Sequence, residues 1–380
     1  MRVIQLGKYY DPYMGGIETH LSLLCAELRA QDEVEVLVCN TGRRTERGEV
    51  KGIQVTRAGA WARAFSTDLC PALVAEISGR KFDVLHLHTP NPMGMLAYLL
   101  ARKPRHHRLV ITHHSDVVRQ AGLRRALHPL FAMTMNRAQC IVATSPNYLE
   151  TSLELAPYRD RVRVVPYGID PAPYQDPNHA GAGQHLRARF GERVVLAAGR
   201  LIYYKGFETL LESMTEVDGH LVLIGDGPLG SALRSKAQML GIESRVTFAG
   251  EIHQSEIPSW YRAADVFVLS SIARSEAFGI VQLEAMAAGL PVVNTQLDSG
   301  VPFVSIDGQT GFTVPPLDPR SLARAINALL ADRELRERLG RRAKERVNQL
   351  FTKARMVDQL RAIYRGVLSS ASPPEIVTAA

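Results

Sequence analysis

Residues 275–291 read SEAFGIVQLEAMAAGLP, and this stretch predicts the local fold on which the second half of the chain depends. Apolar residues recur at helical spacing from Ile280 to Ala287, so a helix should begin near Gly279 and end at Gly289. A helix start preceded by glycine presents unpaired backbone N–H groups and the positive end of a dipole. The stretch therefore predicts a site for a phosphate group.

Two carboxylates flank this predicted helix start. Glu276 lies just outside it and would face whatever is attached to the phosphate, whereas Glu284 lies about one and a half turns further in. A carboxylate at the second position can accept hydrogen bonds from vicinal hydroxyls. The pair indicates a sugar nucleotide, and the alternative is an amphipathic helix on a parallel sheet with Glu284 in solvent.

Length and composition favour a soluble protein of two domains. The chain has 380 residues, enough for two domains of about 150 to 200 residues each. Its residues are 46% hydrophobic and 22% charged, as in globular proteins. A net charge of +7 suits an anionic partner such as a nucleotide, a lipid diphosphate or an acidic membrane face, and no nucleic-acid partner is predicted.

Targeting signals and cysteines point to the cytoplasm. No basic and then apolar segment follows Met1, and no apolar run approaches the ~20 residues that span a bilayer. The 4 cysteines have no CxxC spacing, so we expect small core residues in a reducing compartment. The predicted location is cytoplasmic, with any membrane contact peripheral, at the inner face of the cytoplasmic membrane.

Apolar strands alternate with helical patterns along the chain, which predicts parallel sheets covered on both faces. We expect two doubly wound domains, 1–170 and 184–350, joined by a linker rich in Pro, Gly and Asp at 166–183. The last helix, 351–368, is a candidate to cross back to the first domain, and the tail 369–380 should be disordered. The predicted strands are 3–6, 33–38, 84–87, 109–112, 140–144, 194–198, 221–224, 246–249, 266–269 and 292–295.

In the first domain, two positions are expected at the ligand edge of the sheet, where the carboxyl ends of parallel strands lie. The loop after the first strand contains Gly15 and Gly16, which let backbone N–H groups approach a ligand. His114, in THHSD, follows the fourth strand and can hydrogen-bond a sugar hydroxyl. An ordinary turn and a structural histidine are the alternatives.

Two basic segments of the first domain could bind an anionic membrane surface. Residues 102–108 (RKPRHHR) and 119–125 (RQAGLRR) concentrate positive charge. Each basic residue near an anionic leaflet contributes about 1 kcal/mol. A solvated surface is the alternative reading.

In the second domain, residues 199–206 read GRLIYYKG directly after its first strand. Arg200 offers a planar fork and Lys205 a mobile charge, so both can converge on a diphosphate. The chain contains no Asp-x-Asp pair to chelate a metal diphosphate. These cations and the helix start at Gly279 must then meet the charge on a leaving diphosphate, which predicts a mechanism without metal or other cofactor.

The segment Gly225–Gly230, GDGPLG, satisfies the dinucleotide pattern GxGxxG between a strand and a helix. Glu251 lies about 20 residues further on, as that fingerprint requires. An NAD-dependent oxidoreductase is therefore the rival hypothesis. Against it, the motif follows the second strand of its domain, and Pro228 can simply open a helix.

Together the motifs resemble the retaining glycosyltransferases of the GT-B fold, in the group-one or family-four set. The resemblance covers nearly the whole chain and implies two Rossmann-like doubly wound domains facing a cleft, the first binding the acceptor and the second a nucleotide-sugar donor. The motifs are GGIE (15–18), HSD (114–116), PYGID (166–170), GRLxxxKG (199–206), GDGP (225–228) and EAFGIVQLE (276–284).

The resemblance also implies residue roles. Arg200 and Lys205 would hold the donor diphosphate, Glu276 and His114 would contact the transferred hexose, and Glu284 would bind the ribose. The implied catalytic residues are His114, Arg200, Lys205 and Glu276. The implied nucleotide-binding residues are Gly15, Gly16, Phe278, Gly279, Ile280 and Glu284.

One departure from the family narrows the resemblance. Residues 299–304 read SGVPFV, with Phe303 where many members carry Glu. A subgroup acting in lipopolysaccharide and exopolysaccharide assembly shares this departure, and it implies a UDP-hexose donor, such as UDP-glucose, with an undecaprenyl-diphosphate-linked acceptor. A GDP-mannose-dependent mannosyltransferase is the nearest alternative. A catalytically dead glycan-binding module would lack the charged groove residues, which are present here.

Overall fold

The computed structural model describes residues 1–13, 15–64, 67–116 and 121–369, which form two compact units. Unit 1 comprises Met1–Gly168 together with the last helix, and unit 2 comprises Ile169–Thr352. From residue 370 onward, the tail predicted to be disordered lies outside the described residues.

The strands lie as follows. Those of unit 1 are β1 (Arg2–Leu6), β2 (Glu33–Cys39), β3 (Glu46–Val50), β4 (Ile53–Ala58), β5 (Ala62–Ala64), β6 (Thr67–Leu69), β7 (Val84–Thr89), β8 (Arg108–His113), β9 (Cys140–Ala143) and β10 (Val162–Val164). Those of unit 2 are β11 (Val194–Ala198), β12 (His220–Ile224), β13 (Val246–Gly250), β14 (Val266–Leu269), β15 (Val292–Thr295) and β16 (Gly311–Val314).

The helices connect these strands. They are α1 (Gly16–Leu28), α2 (Ala72–Ser78), α3 (Pro92–Leu100), α4 (Ala121–Met135), α5 (Pro146–Thr151), α6 (Ala172–Gln175), α7 (His179–Phe190), α8 (Phe207–Ser213), α9 (Gly230–Met239), α10 (Ile257–Ala263), α11 (Ile280–Ala287), α12 (Val301–Val304), α13 (Pro319–Ala331), α14 (Arg333–Leu350) and α15 (Lys353–Leu368).

Each unit is a doubly wound α/β domain, which confirms the predicted fold class. The strand order of unit 1 is β10-β9-β8-β7-β1-β2-β4-β3, parallel except for β3, and that of unit 2 is β13-β12-β11-β14-β15-β16, parallel throughout. Successive strands leave in opposite directions from β1/β7 and from β11/β14. These pairs are the topological switch points, where such sheets bind ligands at the carboxyl ends of their strands.

Buried strands form the cores. Every residue of β7 and β11 is buried, because helices cover both faces of each sheet. All four cysteine thiols are buried and free, as the sequence predicted. In the described part of the chain no helix combines the length and apolar character needed to cross a bilayer.

The final helix α15 packs against α1 within unit 1. Its Arg361 is 6% exposed and donates from Nε to Oδ2 of Asp32 over 2.9 Å. The same guanidinium donates to the carbonyl of Leu28 at the end of α1. The chain therefore returns to its first domain after completing the second.

The segment predicted to be the linker, 166–183, contains helices that its lack of periodicity did not indicate. It holds α6 and the start of α7, and the structure divides the units after Gly168. His179 of α7 contacts the Ser259 hydroxyl at 3.0 Å, and Gly183 packs against Arg262. The sequence of α7 has a low helix propensity, and its contacts with α10 stabilise the helix.

Candidate functional site

The centre of the site in unit 2 is an ion pair between Lys205 and Glu276. Lys205 follows β11 and Glu276 follows β14, and these neighbouring strands form the switch point of the sheet. The distance from Nζ of Lys205 to Oε2 of Glu276 is 2.6 Å. The fold thus joins two residues that the sequence placed in separate motifs.

Burial makes this pair stronger than a surface ion pair. Lys205 is 9% exposed and Glu276 is 8% exposed. Burial by itself would lower the pKa of Lys205, but the charge and hydrogen bond of Glu276 outweigh it and the pKa is raised. The hydroxyl of Ser271 donates to the same carboxylate oxygen over 3.0 Å. Lys205 is therefore a fixed cation at the ligand edge of the sheet.

Glycine shapes the loop that carries Arg200 and Lys205. Gly206 has a φ of 66°, and a Cβ there would lie 2.0 Å from the carbonyl oxygen of Ser270. The Ser270 hydroxyl donates to the Lys205 carbonyl over 2.9 Å, so the loop is hydrogen-bonded to the segment after β14. Arg200 lies at the exposed start of the loop, next to Gly199. Its guanidinium and the Lys205 ammonium thus belong to one loop.

The GxGxxG segment packs against the backbone of this loop. A Cβ on Gly225 would lie 2.2 Å from the Gly199 carbonyl oxygen, and one on Gly227 would lie 2.6 Å from that of Leu201. The Leu201 amide donates to the Asp226 carbonyl over 2.9 Å. Close backbone packing therefore accounts for the glycines that suggested a dinucleotide fingerprint.

The helix start predicted at Gly279 is present. Gly279 has a φ of 73° and is the N-cap of α11, which begins at Ile280 without a side-chain cap. Phe278 is 2% exposed, and its carbonyl accepts from Nε2 of Gln282 over 3.1 Å. The first N–H groups of α11 and the positive end of its dipole thus follow Glu276 closely.

Glu284, on α11, is held by tyrosines that sequence reasoning missed. The Tyr261 hydroxyl donates to its Oε2 over 2.8 Å, and Tyr174 also hydrogen-bonds the carboxylate. Burial raises the pKa of Glu284, and these hydrogen bonds reduce the rise without reversing it. Tyr174 and Tyr261 lie on α6 and α10, far apart along the chain, so no local pattern indicates that they meet.

In unit 1, His114 belongs to a chain of buried hydrogen bonds. Its Nε2 lies 2.9 Å from Nδ1 of His88, and its Nδ1 contacts the Tyr167 hydroxyl. Nε2 of His88 lies 2.8 Å from Oε1 of Gln5, whose amide nitrogen donates to Tyr364 on α15. Each contact restricts the tautomer of the next imidazole.

Both ring nitrogens of His114 are therefore engaged by the protein. Burial lowers the pKa of His88 and His114, and neighbouring imidazoles add to the effect, so both rings are neutral. Gln5 Oε1 can only accept, so His88 carries its proton on Nε2 and His114 donates from Nε2. Tyr167 then donates to Nδ1 of His114. In this arrangement the His114 ring has no nitrogen left for the hexose contact that the sequence predicted.

A histidine that the sequence analysis did not single out lies beside it. His20 is 6% exposed, and among the described residues neither of its ring nitrogens has a hydrogen-bond partner. Its ring centre lies 4.5 Å from that of Tyr167, and burial lowers the pKa of His20 to about 3. His20 is on α1, which begins at Gly16 with Gly15 as its N-cap. The predicted loop glycines thus start the helix that brings this imidazole to the ligand edge.

Comparison with known proteins identifies the family. Residues 184–346 match the family described as Glycosyl transferases group 1, and residues 14–173 match Glycosyltransferase Family 4. A D-rhamnosyltransferase of Pseudomonas aeruginosa, WbpZ, is 32% identical over 93% of this chain and 92% of the relative. The chain belongs to the group 1 glycosyltransferases. It is thus a transferase enzyme.

Two further comparisons agree with this family. O-antigen chain mannosyltransferase C of Escherichia coli is 32% identical over 77% of each chain. The solved structure of a sucrose-phosphate synthase from Thermosynechococcus elongatus superposes with a TM-score of 0.81 over 97% of this chain and 100% of that one, at 25% identity. Both matched regions of the glycosyltransferase contain residues predicted for the site: His114 in the first, and Lys205, Glu276 and Glu284 in the second.

A second ion cluster of the glycosyltransferase joins His113, at the end of β8, to Asp116 and to Glu154 after α5. Nε2 of His113 lies 3.4 Å from Oδ1 of Asp116 and 3.2 Å from Oε2 of Glu154. Nδ1 faces the Thr89 hydroxyl, which donates its own proton to the Thr112 carbonyl, so Nδ1 is a donor. Burial alone would lower the pKa of His113, but the two carboxylates outweigh it and the pKa is raised. Nε2 therefore holds a proton between them.

The same three groups have ligand atoms within 4.8 Å of one another, a spacing that also suits a divalent cation. Oδ1 of Asp116 also accepts from the hydroxyls of Tyr148 (2.7 Å) and Ser152 (2.6 Å), so protein donors already surround it. A proton on Nε2 of His113 therefore suits the space between the two carboxylates better than a divalent cation does. The predicted absence of a bound metal stays a prediction.

Replacing His113 by glutamine is expected to lower the free energy of unfolding by about 3 kcal/mol near pH 5.5, because two partly buried carboxylates lose their cation. A histidine whose folded-state pKa is raised stabilises the fold below its unfolded pKa of about 6.5, and loses that contribution as the pH rises through the folded-state value. The loss should therefore be smaller near pH 8.5. Urea unfolding of both proteins at the two pH values measures it.

The matched control is His106→Gln, at an exposed position of the same unit. This change should leave stability within about 0.5 kcal/mol at both pH values. An equal loss for His113→Gln at both pH values would contradict a protonated His113.

Proposed function

We propose that this glycosyltransferase moves a hexose from a nucleotide sugar to a lipid-linked glycan acceptor, with retention of configuration and without a metal. The observation that carries the proposal is the buried pair of Lys205 and Glu276, 2.6 Å apart at the switch point of unit 2. Such a position is where doubly wound sheets bind nucleotides. A cation held there can neutralise the charge of a bound diphosphate in place of a chelated metal.

The chemistry follows from where charge develops. When the bond from the hexose to the diphosphate breaks, negative charge builds on the leaving phosphate oxygens. Arg200, Lys205 and the amino end of α11 supply fixed positive charge for those oxygens, and fixed dipoles stabilise a transition state effectively. In this proposal, Glu276 contacts the hexose and Glu284 accepts hydrogen bonds from the ribose hydroxyls.

Two donors are in contention. The motif resemblance favours a UDP-hexose such as UDP-glucose. The relatives favour a second candidate, because they include a D-rhamnosyltransferase and a mannosyltransferase, and D-rhamnose is a 6-deoxymannose. A GDP-mannose donor is therefore an equal competitor.

The acceptor is proposed from similar reasoning. One relative is named for the O-antigen chain, and another, from Rhizobium meliloti, is a lipopolysaccharide core biosynthesis glycosyltransferase 33% identical over 61% of this chain. We therefore propose that this enzyme acts in cell-surface polysaccharide synthesis, at the inner face of the cytoplasmic membrane. A net charge of +7 suits a peripheral contact with anionic lipid.

In the first of the two basic segments predicted to contact a membrane, 102–108, two cations form hydrogen bonds within the protein. Lys103 donates to the carbonyls of Tyr98 and Ala101, and Arg108 donates to the carbonyl of Val367, so these cations also serve the fold. Arg119 lies outside the described residues. The membrane contact remains a proposal.

A donor screen in EDTA tests the proposed function. Thermal unfolding is measured with a panel of UDP-, GDP- and ADP-sugars, and transfer to alkyl glycosyl diphosphates is then followed with the sugar that stabilises most. A donor at a hundred times its Kd should add about 2.7 kcal/mol of stability. Transfer should continue in EDTA. No stabilisation by any donor, or loss of transfer in EDTA that Mg²⁺ restores, would contradict the proposal.

A further inference from the structure

Exposed aromatic and arginine side chains lie on adjoining loops at the carboxyl edge of the unit 1 sheet. Trp61 is 73% exposed and Tyr13 is 38% exposed, a high value for large aromatic residues. Arg43 and Arg44 are exposed, and the Arg63 side chain is 64% exposed. We call these five residues the carboxyl-edge patch. They lie in segments that follow β1, β2 and β4, where a doubly wound sheet binds its ligand.

Backbone hydrogen bonds fix the arginine loop against the tryptophan loop. The Ala60 amide donates to the Gly42 carbonyl over 2.8 Å, and the Gly59 amide donates to the Thr45 hydroxyl over 3.1 Å. A Cβ on Gly59 would lie 2.3 Å from the Arg43 carbonyl oxygen, so glycine permits the close approach. The two loops therefore present one continuous surface.

Tyrosines join the other end of the patch. The Tyr13 hydroxyl lies 2.8 Å from that of Thr41, and its ring stacks on Tyr9 at 5.0 Å. Tyr9 donates to Oδ2 of Asp68 over 2.5 Å, and Asp68 lies 3.9 Å from Nε of Arg63. Hydrogen bonds and ring contacts thus run from the loop after β1 to the β5–β6 hairpin.

The charges of the patch are one-sided. Asp68 is 3% exposed, accepts from Tyr9 and pairs with Arg63 at 3.9 Å, whereas Arg43 and Arg44 are exposed. Within the described residues, no ion pair involves Arg43 or Arg44. Guanidinium forks bind phosphate oxygens in pairs, and aromatic faces pack against the C–H faces of hexose rings. The patch combines both kinds of recognition.

We propose that the carboxyl-edge patch binds the acceptor, a glycan that carries a phosphate or diphosphate. Trp61 and Tyr13 stack on its sugar rings, and Arg43, Arg44 and Arg63 bind its phosphate groups. This inference rests on the proposed function and names the residues that recognise its acceptor. The charge of the patch suits a phosphate group, and its position at the ligand edge of the sheet favours this occupant over a lipid bilayer.

A single-tryptophan variant tests the binding directly. The chain has 2 tryptophans, and Trp260 lies in unit 2, half-buried on α10. In Trp260→Phe, once transfer activity is shown to be retained, fluorescence reports on Trp61 alone. Short-chain alkyl glycosyl diphosphates carrying glucose, mannose, N-acetylglucosamine or rhamnose are the probes. The probe that accepts sugar should reduce acrylamide quenching by about half, because stacking covers one of the two indole faces.

Kinetics test the residues separately. Trp61→Ala should raise the KM for the acceptor about tenfold, with kcat and the KM for the donor within about twofold. Arg43→Gln combined with Arg44→Gln should weaken binding of the diphosphate probe about tenfold, but not that of the alkyl glycoside without phosphate. Leu100→Ala is the matched control, since Leu100 is 64% exposed at the far end of α3. Leu100→Ala should leave kcat, both KM values and probe binding unchanged.

The outcomes separate this inference from the proposed function. Transfer with unchanged Trp61 quenching and an unchanged acceptor KM in Trp61→Ala overturns the patch and leaves the function standing. Protection of Trp61 by phosphatidylglycerol vesicles, but by none of the probes, overturns it in favour of a membrane surface. Absence of donor binding and of transfer contradicts the proposed function, and absence of protection by every probe rejects the patch whatever the donor result.

Discussion

Replacing Lys205 by alanine is expected to reduce transfer about 10³-fold and to lower the free energy of unfolding by about 3 kcal/mol. Transfer falls because the leaving diphosphate loses its buried cation. Stability falls because the carboxylate of Glu276, 8% exposed, is left without its partner at 2.6 Å. A transfer assay with the identified donor and urea unfolding measure the two effects.

A double variant separates the two effects. Lys205→Met combined with Glu276→Gln removes both charges and should restore most of the lost stability, since no buried charge remains unpaired. Transfer should stay as low as in Lys205→Ala. Recovery of transfer along with stability would show that the pair serves the fold alone.

The chain also offers a matched Lys–Glu pair away from the site. Lys236 and Glu212 of unit 2 are 2.5 Å apart, but their side chains are 22% and 41% exposed. Lys236→Ala should cost less than about 1 kcal/mol, because solvent screens such a pair. Transfer should be unaffected.

Replacing Gly206 by alanine is expected to lower the free energy of unfolding by about 4 kcal/mol and to abolish donor binding. The left-handed φ of 66° would strain any side chain, and the new Cβ would lie 2.0 Å from the Ser270 carbonyl oxygen. Relief of that overlap must move the loop that carries Lys205. Chemical unfolding and the donor thermal shift measure the two consequences.

Gly241 provides the control for backbone strain. Its φ is 67°, and a Cβ there would meet no atom within 4 Å. Gly241→Ala should therefore cost only the left-handed strain of about 1 kcal/mol and preserve donor binding. Equal losses at Gly206 and Gly241 would show that the Ser270 contact has no part in positioning Lys205.

Much of the fold could be predicted from the sequence because its signals are local. Strands such as β11, β14 and β15 are continuous apolar runs, and the structure gives them the predicted bounds. The exposed strand β3 has no apolar alternation, and only its antiparallel pairing with β4 makes it a strand. The helix α7 likewise depends on its contacts with α10.

The site was predictable to a smaller degree. Glycine and charged residues in short motifs identified the loop of Lys205 and the start of α11. They did not predict that both ring nitrogens of His114 contact His88 and Tyr167, or that His20 beside them has no hydrogen-bond partner in the described part of the chain. Hydrogen bonds between side chains on different strands leave no periodic signal in the sequence.

By itself, the sequence determined the two α/β domains, the positions of the Lys205 loop and of the start of α11, and the surplus of positive charge. These properties depend on neighbours along the chain: periodicity, glycine at left-handed positions and residue counts. Only the tertiary structure decided that Lys205 pairs with Glu276, that two tyrosines hold Glu284, and that the loop of Arg43 and Arg44 is hydrogen-bonded to the loop of Trp61. Those contacts join residues distant in sequence, and strand order brings them together.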